Sequence, residues 1–151
     1  MFKHILIPTD GSPLSDQAIT YGANLAKEAG ARVTVLQVTQ PFSMVLTNPG
    51  FAPVPDTFRQ QYEAAWRDAL QRTKDSLASK GLNCGVQQVE HESVHEAIID
   101  AVKRENCDLI LMASHGRRGL TAVVLGSETV KVLTHSPVPV LVYRPPAKSK
   151  A

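Results

Sequence analysis

Residues 108–129 read DLILMASHGRRGLTAVVLGSET. The stretch opens on an apolar run, Leu109-Ile110-Leu111-Met112, of the kind that forms a strand buried on both faces. The run stops at Ala113-Ser114-His115-Gly116, and nine residues separate Gly116 from a second small-residue turn, Gly126-Ser127, that opens a helix. Small residues at the C-terminal end of a strand let a ligand come close to the backbone. A Gly-Ser pair at a helix start offers N–H groups and a hydroxyl to an anion such as phosphate. One segment therefore offers room for a flat ring and for a phosphate chain, which is the demand of a nucleotide. The same glycines also serve as plain turn residues between strand and helix, so the spacing alone leaves both readings open.

Working outward, apolar and β-branched runs alternate with helical patterns. His4–Thr9 is the first strand, ended by Pro8-Thr9-Asp10-Gly11. Ser12 is placed to cap a helix with Pro13 at its first position, and Ala18, Gly22, Leu25, Ala26 and Ala29 recur at helical spacing up to Gly30. Arg32–Thr39 reads as the second strand. Gln40–Pro55 holds four prolines (Pro41, Pro49, Pro53, Pro55) and no period, so it reads as a long irregular loop and a candidate lid. Asp56 is expected to cap a second helix ending at Gly81, with Phe58, Tyr62, Ala65, Trp66, Ala69, Leu70, Thr73 and Leu77 as its buried face. Cys84–Val89 is a third strand. Ser93 and Glu96 match the S-x-x-E capping box and open a helix through Ala97, Ile98, Ala101 and Val102. Asp108–Met112 is the fourth strand, a helix runs from Ser127 to His135, and Val138–Tyr143 is the fifth strand.

This alternation predicts one α/β domain, a doubly wound, five-stranded and mainly parallel sheet flanked by helices. Residues 1–144 form that domain, and 145–151, with Pro145-Pro146 and two lysines, read as a disordered tail. In such folds ligands sit beyond the carboxyl ends of the strands, where the strand order reverses. With the first and fourth strands as neighbours there, Asp10 faces the glycine loop across one crevice. It then either accepts hydrogen bonds from ribose hydroxyls or closes the strand with an Asx turn.

The chain has 151 residues, one domain's worth, and a formal charge of +2, too small for a nucleic-acid binder. Arg117 and Arg118 are the basic pair nearest the candidate site, a match for one phosphate chain rather than a nucleic-acid backbone. Cys84 and Cys107 lack C-x-x-C spacing and read as reduced thiols of a cytoplasmic protein. The first apolar run stops at Pro8, so no signal peptide is expected, and no run is long enough for a membrane span.

Three segments together, HILIPTDGSPLSDQAI at the start, MASHGRRGLTAVVLGSETVKVL from Met112 and SPVPVLVYR near the end, resemble the universal stress protein family, in order along essentially the whole chain. The resemblance implies a Rossmann-like fold, of the adenine nucleotide alpha hydrolase-like kind. The family's ATP-binding branch carries Gly, two residues, Gly, nine residues, Gly, then Ser or Thr. Here Gly116, Gly126 and Ser127 fit, while the first glycine is replaced by Ala113. The added methyl lies where backbone and nucleotide approach closely.

Position by position, the resemblance implies that Pro8, Thr9 and Asp10 line the adenosine, with Asp10 on the ribose, and that Val38 and Met112 flank the adenine. Ala113, Ser114, His115, Gly116 and Arg117 would form the loop beneath the nucleotide, and Gly126, Ser127, Glu128 and Thr129 would approach the phosphates. Glu128 needs an outward orientation there or a divalent cation, Mg or Mn, held by the phosphates. The resemblance also implies a homodimer through strand 138–143, whose apolar edge is otherwise an aggregation liability.

Rival chemistries fare worse. His91-Glu92-Ser93-Val94-His95 spells H-E-x-x-H, but the capping box starts the helix between the two histidines, and zinc chemistry needs both on one helical face. Nucleotide-consuming relatives of the fold class use HIGH-like or SGG-x-D-S loops, and this chain has PTDGSPLSD after its first strand. The P-loop and G-x-G-x-x-G patterns are absent. The expected function is a cytoplasmic, ATP-binding stress-response protein, a switch or holder of nucleotide with no catalytic residues. The alternatives are a slow ATP hydrolase and a nucleotide-free dimeric interaction module.

Overall fold

A computed structural model describes residues 1–41, 55–115 and 124–146. Along the chain run β1 (His4–Thr9), α1 (Pro13–Ala29), β2 (Arg32–Thr39), α2 (Asp56–Ser79), β3 (Cys84–Glu90), α3 (Val94–Glu105), β4 (Leu109–Ala113), α4 (Ser127–His135) and β5 (Val140–Tyr143). The sheet order is β3-β2-β1-β4-β5 and every pairing is parallel. The chain winds from β1 outward through β2 to β3, then returns to β4 beside β1. The strand order therefore reverses between β1 and β4, which meets the condition placed on the Asp10 reading. Of the assigned spans, residues 42–54, 116–123 and 147–151 lie outside the described residues.

The period of two along the strands divides the core. Ile5, Ile7, Val33, Val35, Leu109 and Leu111 face α1 and α2, with Ala18, Ile19, Ala23, Ala26, Leu70 and Leu77 opposite. Leu6, Leu36, Ile110 and Met112 face the other way and pack with Ile98, Ala101 and Val102 of α3 and Val132 of α4. Burying each large aliphatic side chain is worth about 1.5–3 kcal/mol. Gly22 allows α1 to lie close on the sheet: a Cβ there would sit 2.5 Å from Ile7 Cδ1.

Three helix expectations are corrected. In α2, Leu70 and Leu77 are buried, Trp66, Ala69 and Thr73 are half-buried, and Phe58, Tyr62 and Ala65 are exposed. The cause is length. Twenty-four helical residues span about 36 Å, whereas the eight residues of β2 span about 26 Å. The first turns of α2 overrun the sheet. Its N-cap is Pro55, with Asp56 already helical. Ser93 occupies the N-cap of α3 but its side chain makes no capping bond. Its Oγ lies 3.1 Å from His95 Nδ1 instead, so the capping box is not formed. The edges of three strands also shift: β3 ends at Glu90, β4 runs from Leu109 to Ala113 and β5 starts at Val140.

Asp108, expected within β4, instead holds the start of β1. Its carboxylate accepts the N–H groups of Lys3 at 2.8 Å and His4 at 3.0 Å. His4 is 3% exposed and bridges three elements, with Nε2 2.8 Å from Thr34 Oγ1 and Nδ1 3.0 Å from the Glu105 carbonyl. Burial, then the Arg32 charge, hold its imidazole below the usual histidine range. The neighbouring Cys107 thiol is pushed up to about 12, chiefly by burial, and so stays protonated and unreactive. Both cysteines are free thiols.

The depressed His4 value fixes the sign of an acid effect. An unfolded chain takes up a proton near pH ~6.5, while folded His4 resists it until lower pH. Its contribution to stability is therefore complete above about pH 6.5 and declines as pH falls toward the folded value. His4→Leu should lose about 1–3 kcal/mol at neutral pH through its broken hydrogen bonds, and denaturant melts should show a flatter pH dependence below neutrality. A variant as steeply acid-sensitive as the parent would exclude His4 as the source.

Candidate functional site

The carboxyl ends of β1 and β4 meet at the reversal of strand order. After β1, Asp10 Oδ1 accepts the Ser12 N–H at 2.9 Å, the Asx turn that was one of its two expected roles. Thr9 Oγ1 accepts the Gly11 N–H at 3.1 Å and lies 3.0 Å from Ser15 Oγ. Ser12 then caps α1 through Ser15 N–H. These short-range bonds turn the chain sharply and leave Pro8, Thr9 and Asp10 half-buried at the rim. Burial, then the charge of Asp10, raise the Asp16 carboxyl above its ordinary range. The rim beside β1 thus concentrates negative charge, which hydroxyl donors or a cation would relieve.

Across the reversal, Ser114 is 4% exposed and its carbonyl accepts two donors, the Gly126 N–H at 2.8 Å and the Thr129 hydroxyl at 3.3 Å. Thr129 Oγ1 also lies 3.2 Å from the Ala113 carbonyl. These bonds bring the α4 N-terminus onto the end of β4. Gly126 has φ −61, so its need is not conformational. A Cβ there would lie 3.1 Å from His115 Cα, a tight approach between two backbones. A helix start, whose first N–H groups have no partner within the helix, is the kind of element that suits an anion.

The structure therefore brings together Pro8, Thr9, Asp10, Ala113, Ser114, His115, Gly126, Ser127 and Thr129, with Val38 and Met112 in the core cluster below on the α3–α4 side. Gly116 and Arg117 lie outside the described residues, as does Arg118. Ala113, the departure from the family's glycine, directs its methyl into the α1-side core, where it is 8% exposed. The Thr129 hydroxyl is engaged by β4, so any role it has toward phosphate is through its backbone.

Glu128 shows the outward orientation. Its Oε2 accepts the His95 N–H at 3.0 Å at the start of α3, and its Oε1 accepts from Lys131 Nζ at 3.2 Å. No local pattern connects residues 33 positions apart, so the sequence reading missed this link. Gln37 was missed as well. It pairs in register with Thr9, is 1% exposed, and its Oε1 has no hydrogen-bond partner among the described residues. Its signal is a polar residue within the apolar run VTVLQV, on the face that points to α1 and α2. A groove of about 420 Å³ lies on that face, between α1 and α2, away from the β4–α4 turn.

The H-E-x-x-H string is split as expected. α3 begins at Val94; His91 Nδ1 accepts the Ser93 N–H at 2.9 Å, while His95 stacks on His135 with ring centroids 5.7 Å apart. No group of three or more His, Cys, Asp or Glu side chains suited to a metal exists among the described residues. No helix among them is long and apolar enough to cross a membrane.

A family model described as the universal stress protein family matches residues 1–144. The chain belongs to that family. It is 32% identical over 150 residues to the universal stress protein YxiE of Bacillus subtilis, covering 95% of this chain and 100% of that one. The solved structure of MJ0577 from Methanocaldococcus jannaschii superposes with a TM-score of 0.80 at 25% identity, over 98% of this chain and 99% of that one. A universal stress protein solved in complex with cAMP shares the fold, with a TM-score of 0.69 at 17% identity over 95% of this chain and 97% of that one.

The β4–α4 junction generates a direct test. Thr129→Val keeps the side chain's shape and removes the hydroxyl that spans two carbonyls, so it should cost about 1–3 kcal/mol of stability. Thr129→Ser restores the donor and should recover most of that loss. Chemical denaturation of the two variants checks the pair; equal stabilities would show that the hydroxyl does not hold α4.

Proposed function

We propose that this universal stress protein binds ATP in the crevice between the ends of β1 and β4 and acts in the cytoplasm as a holder or switch of nucleotide rather than as a metabolic catalyst. The observation that carries the reading is the Ser114 carbonyl, which fixes the glycine start of α4 directly beside the end of β4. A helix N-terminus held in that place fits a phosphate chain. The nucleotide bound in the cAMP complex of a fold relative supports the choice of an adenine ring.

In this reading Val38 and Met112 flank the adenine, while Pro8 and Thr9 shape its edge. Asp10 accepts ribose hydroxyls. Ser114, His115, Gly116 and Arg117 run beneath the sugar and phosphates. Ser127, Glu128 and Thr129 offer backbone N–H groups, with the Ser127 hydroxyl as a further donor, while Gly126, whose N–H is taken by Ser114, shapes the turn. A divalent cation, Mg or Mn, would be held by the phosphates and supply charge neutralisation. Ala113 is compatible with the site because its methyl belongs to the core beneath. The edge of β5, half-buried in the protomer, is the surface through which a homodimer would form.

Protein purified from cells should release an adenine nucleotide on heat denaturation. Asp10→Asn keeps an oxygen for the Ser12 N–H, so the turn survives, and it should weaken ATP, ADP and AMP alike by roughly five- to twentyfold. 2′-Deoxy-ATP should bind the parent protein less well than ATP, with a much smaller difference in the variant. Titrating the four pairs completes the cycle. An undiminished deoxy penalty in Asp10→Asn would remove the ribose role, and absence of adenine-nucleotide binding would favour the nucleotide-free interaction module.

A further inference from the structure

We infer that the groove between α1 and α2 is a second binding site, for a small zwitterion whose ammonium group meets Gln37 and Asp16 and whose carboxylate lies toward Arg72 and Lys80. The inference stands apart from the nucleotide reading. Gln37 and Val38 are consecutive in β2 and point to opposite faces of the sheet. The groove and the residue assigned to the adenine therefore lie on different sides of it.

The mark of the site is the Gln37 side chain. It lines the groove and is 1% exposed, and its Oε1 accepts no hydrogen bond among the described residues. A buried carbonyl oxygen left in that state is costly, so it calls for a donor from whatever fills the groove. Its register partner Thr9 cannot serve, because Thr9 Oγ1 is already engaged with the Gly11 N–H and Ser15 Oγ. Asp16, in the first turn of α1, lines the same groove, and burial together with the charge of Asp10 holds its carboxyl above the ordinary range. This end thus combines an unmet acceptor with crowded negative charge. An ammonium group, with three N–H donors and one positive charge, answers both.

The other end has the opposite sign. α2 carries the chain from the end of β2 back to the start of β3, so its later residues lie progressively toward the amino ends of the strands. Arg72 and Lys80 line the groove from there, and Ile19, Leu70 and Leu77 give it apolar walls. Its volume of about 420 Å³ falls within the roughly 300–1,000 Å³ of small-molecule sites. A simple cation would leave the basic end unmatched, and a simple anion the acidic end. An ω-amino acid with an aliphatic chain matches both ends and the walls.

The experiment titrates the full chain with 6-aminohexanoate, hexylamine and hexanoate, each to about 10 mM, and follows the amide NMR signals of the groove residues. The amino acid should bind saturably, and the amine and the acid each roughly fivefold or more weakly. Gln37→Met keeps the bulk of the side chain, removes the acceptor and should lose roughly tenfold or more in affinity for 6-aminohexanoate. Asp16→Asn and Lys80→Gln change exposed positions that leave the core intact, and each should lose about two- to fivefold. Unchanged affinity in folded Gln37→Met would show that the buried oxygen receives no ligand donor and would overturn the site. Absence of saturable shifts with 6-aminohexanoate would overturn it equally, and hexylamine binding as tightly as the amino acid would overturn the zwitterionic assignment.

Discussion

The carbonyl of Ser114 is the constraint on which the site depends. It accepts the Gly126 N–H at 2.8 Å and the Thr129 hydroxyl at 3.3 Å, while the Ser114 N–H is donated to the Tyr143 carbonyl at 2.9 Å. One buried residue therefore ties β4 to β5 through its N–H and to α4 through its carbonyl. A buried polar group without partners is costly, so each of these bonds resists opening. The start of α4 is held beside the end of β4 by the Gly126 N–H and the Thr129 hydroxyl.

That dependence explains the residue types at the junction. Gly126 is required by the 3.1 Å approach that a Cβ would make to His115 Cα. Thr129 is required because only a hydroxyl one turn into the helix reaches back to the strand. Glu128, between them, projects the other way and joins α4 to α3. Gly126, Glu128 and Thr129 thus have three different tertiary tasks, and Ser127 among them is exposed. On the β1 side the bonds are local, running within seven residues from Thr9 to Ser15. The crevice pairs a wall built from adjacent sequence with a wall built from long-range contacts.

The legibility of the sequence follows the same division. Strand runs such as HILIPT and LILMA show as largely apolar segments, and their alternation with helices points to parallel pairing, while the β1–β4 reversal itself comes from the fold. The Ser12-Pro13 start of α1 was legible because a cap is a short-range bond. Burial along α2 was not. Helical period marks a face, but how far that face extends over the sheet depends on relative lengths, and Phe58 and Tyr62 fall on the part that overruns. The capping box at Ser93 failed because its groups have other partners: the Ser93 N–H is donated to His91 Nδ1 and Ser93 Oγ lies against His95 Nδ1, while a carboxylate from α4, about which local pattern carries no information, takes the His95 N–H.

Within the site, the positions at which backbone meets backbone were the ones the sequence marked, since only small residues fit there. The side chains that tune those positions were hidden. Gln37, Glu128 and His95 are ordinary polar letters until the fold brings a register partner or a second helix N-terminus beside them. Glu128 makes the physical point most clearly. Beside a phosphate chain its charge is unfavourable, and the sequence alone leaves that conflict unsolved. The fold resolves it by directing the carboxylate to α3 and to Lys131, so that the negative charge which would repel a ligand instead joins two helices. A residue that contradicts its immediate setting is accounted for once its long-range partner is known.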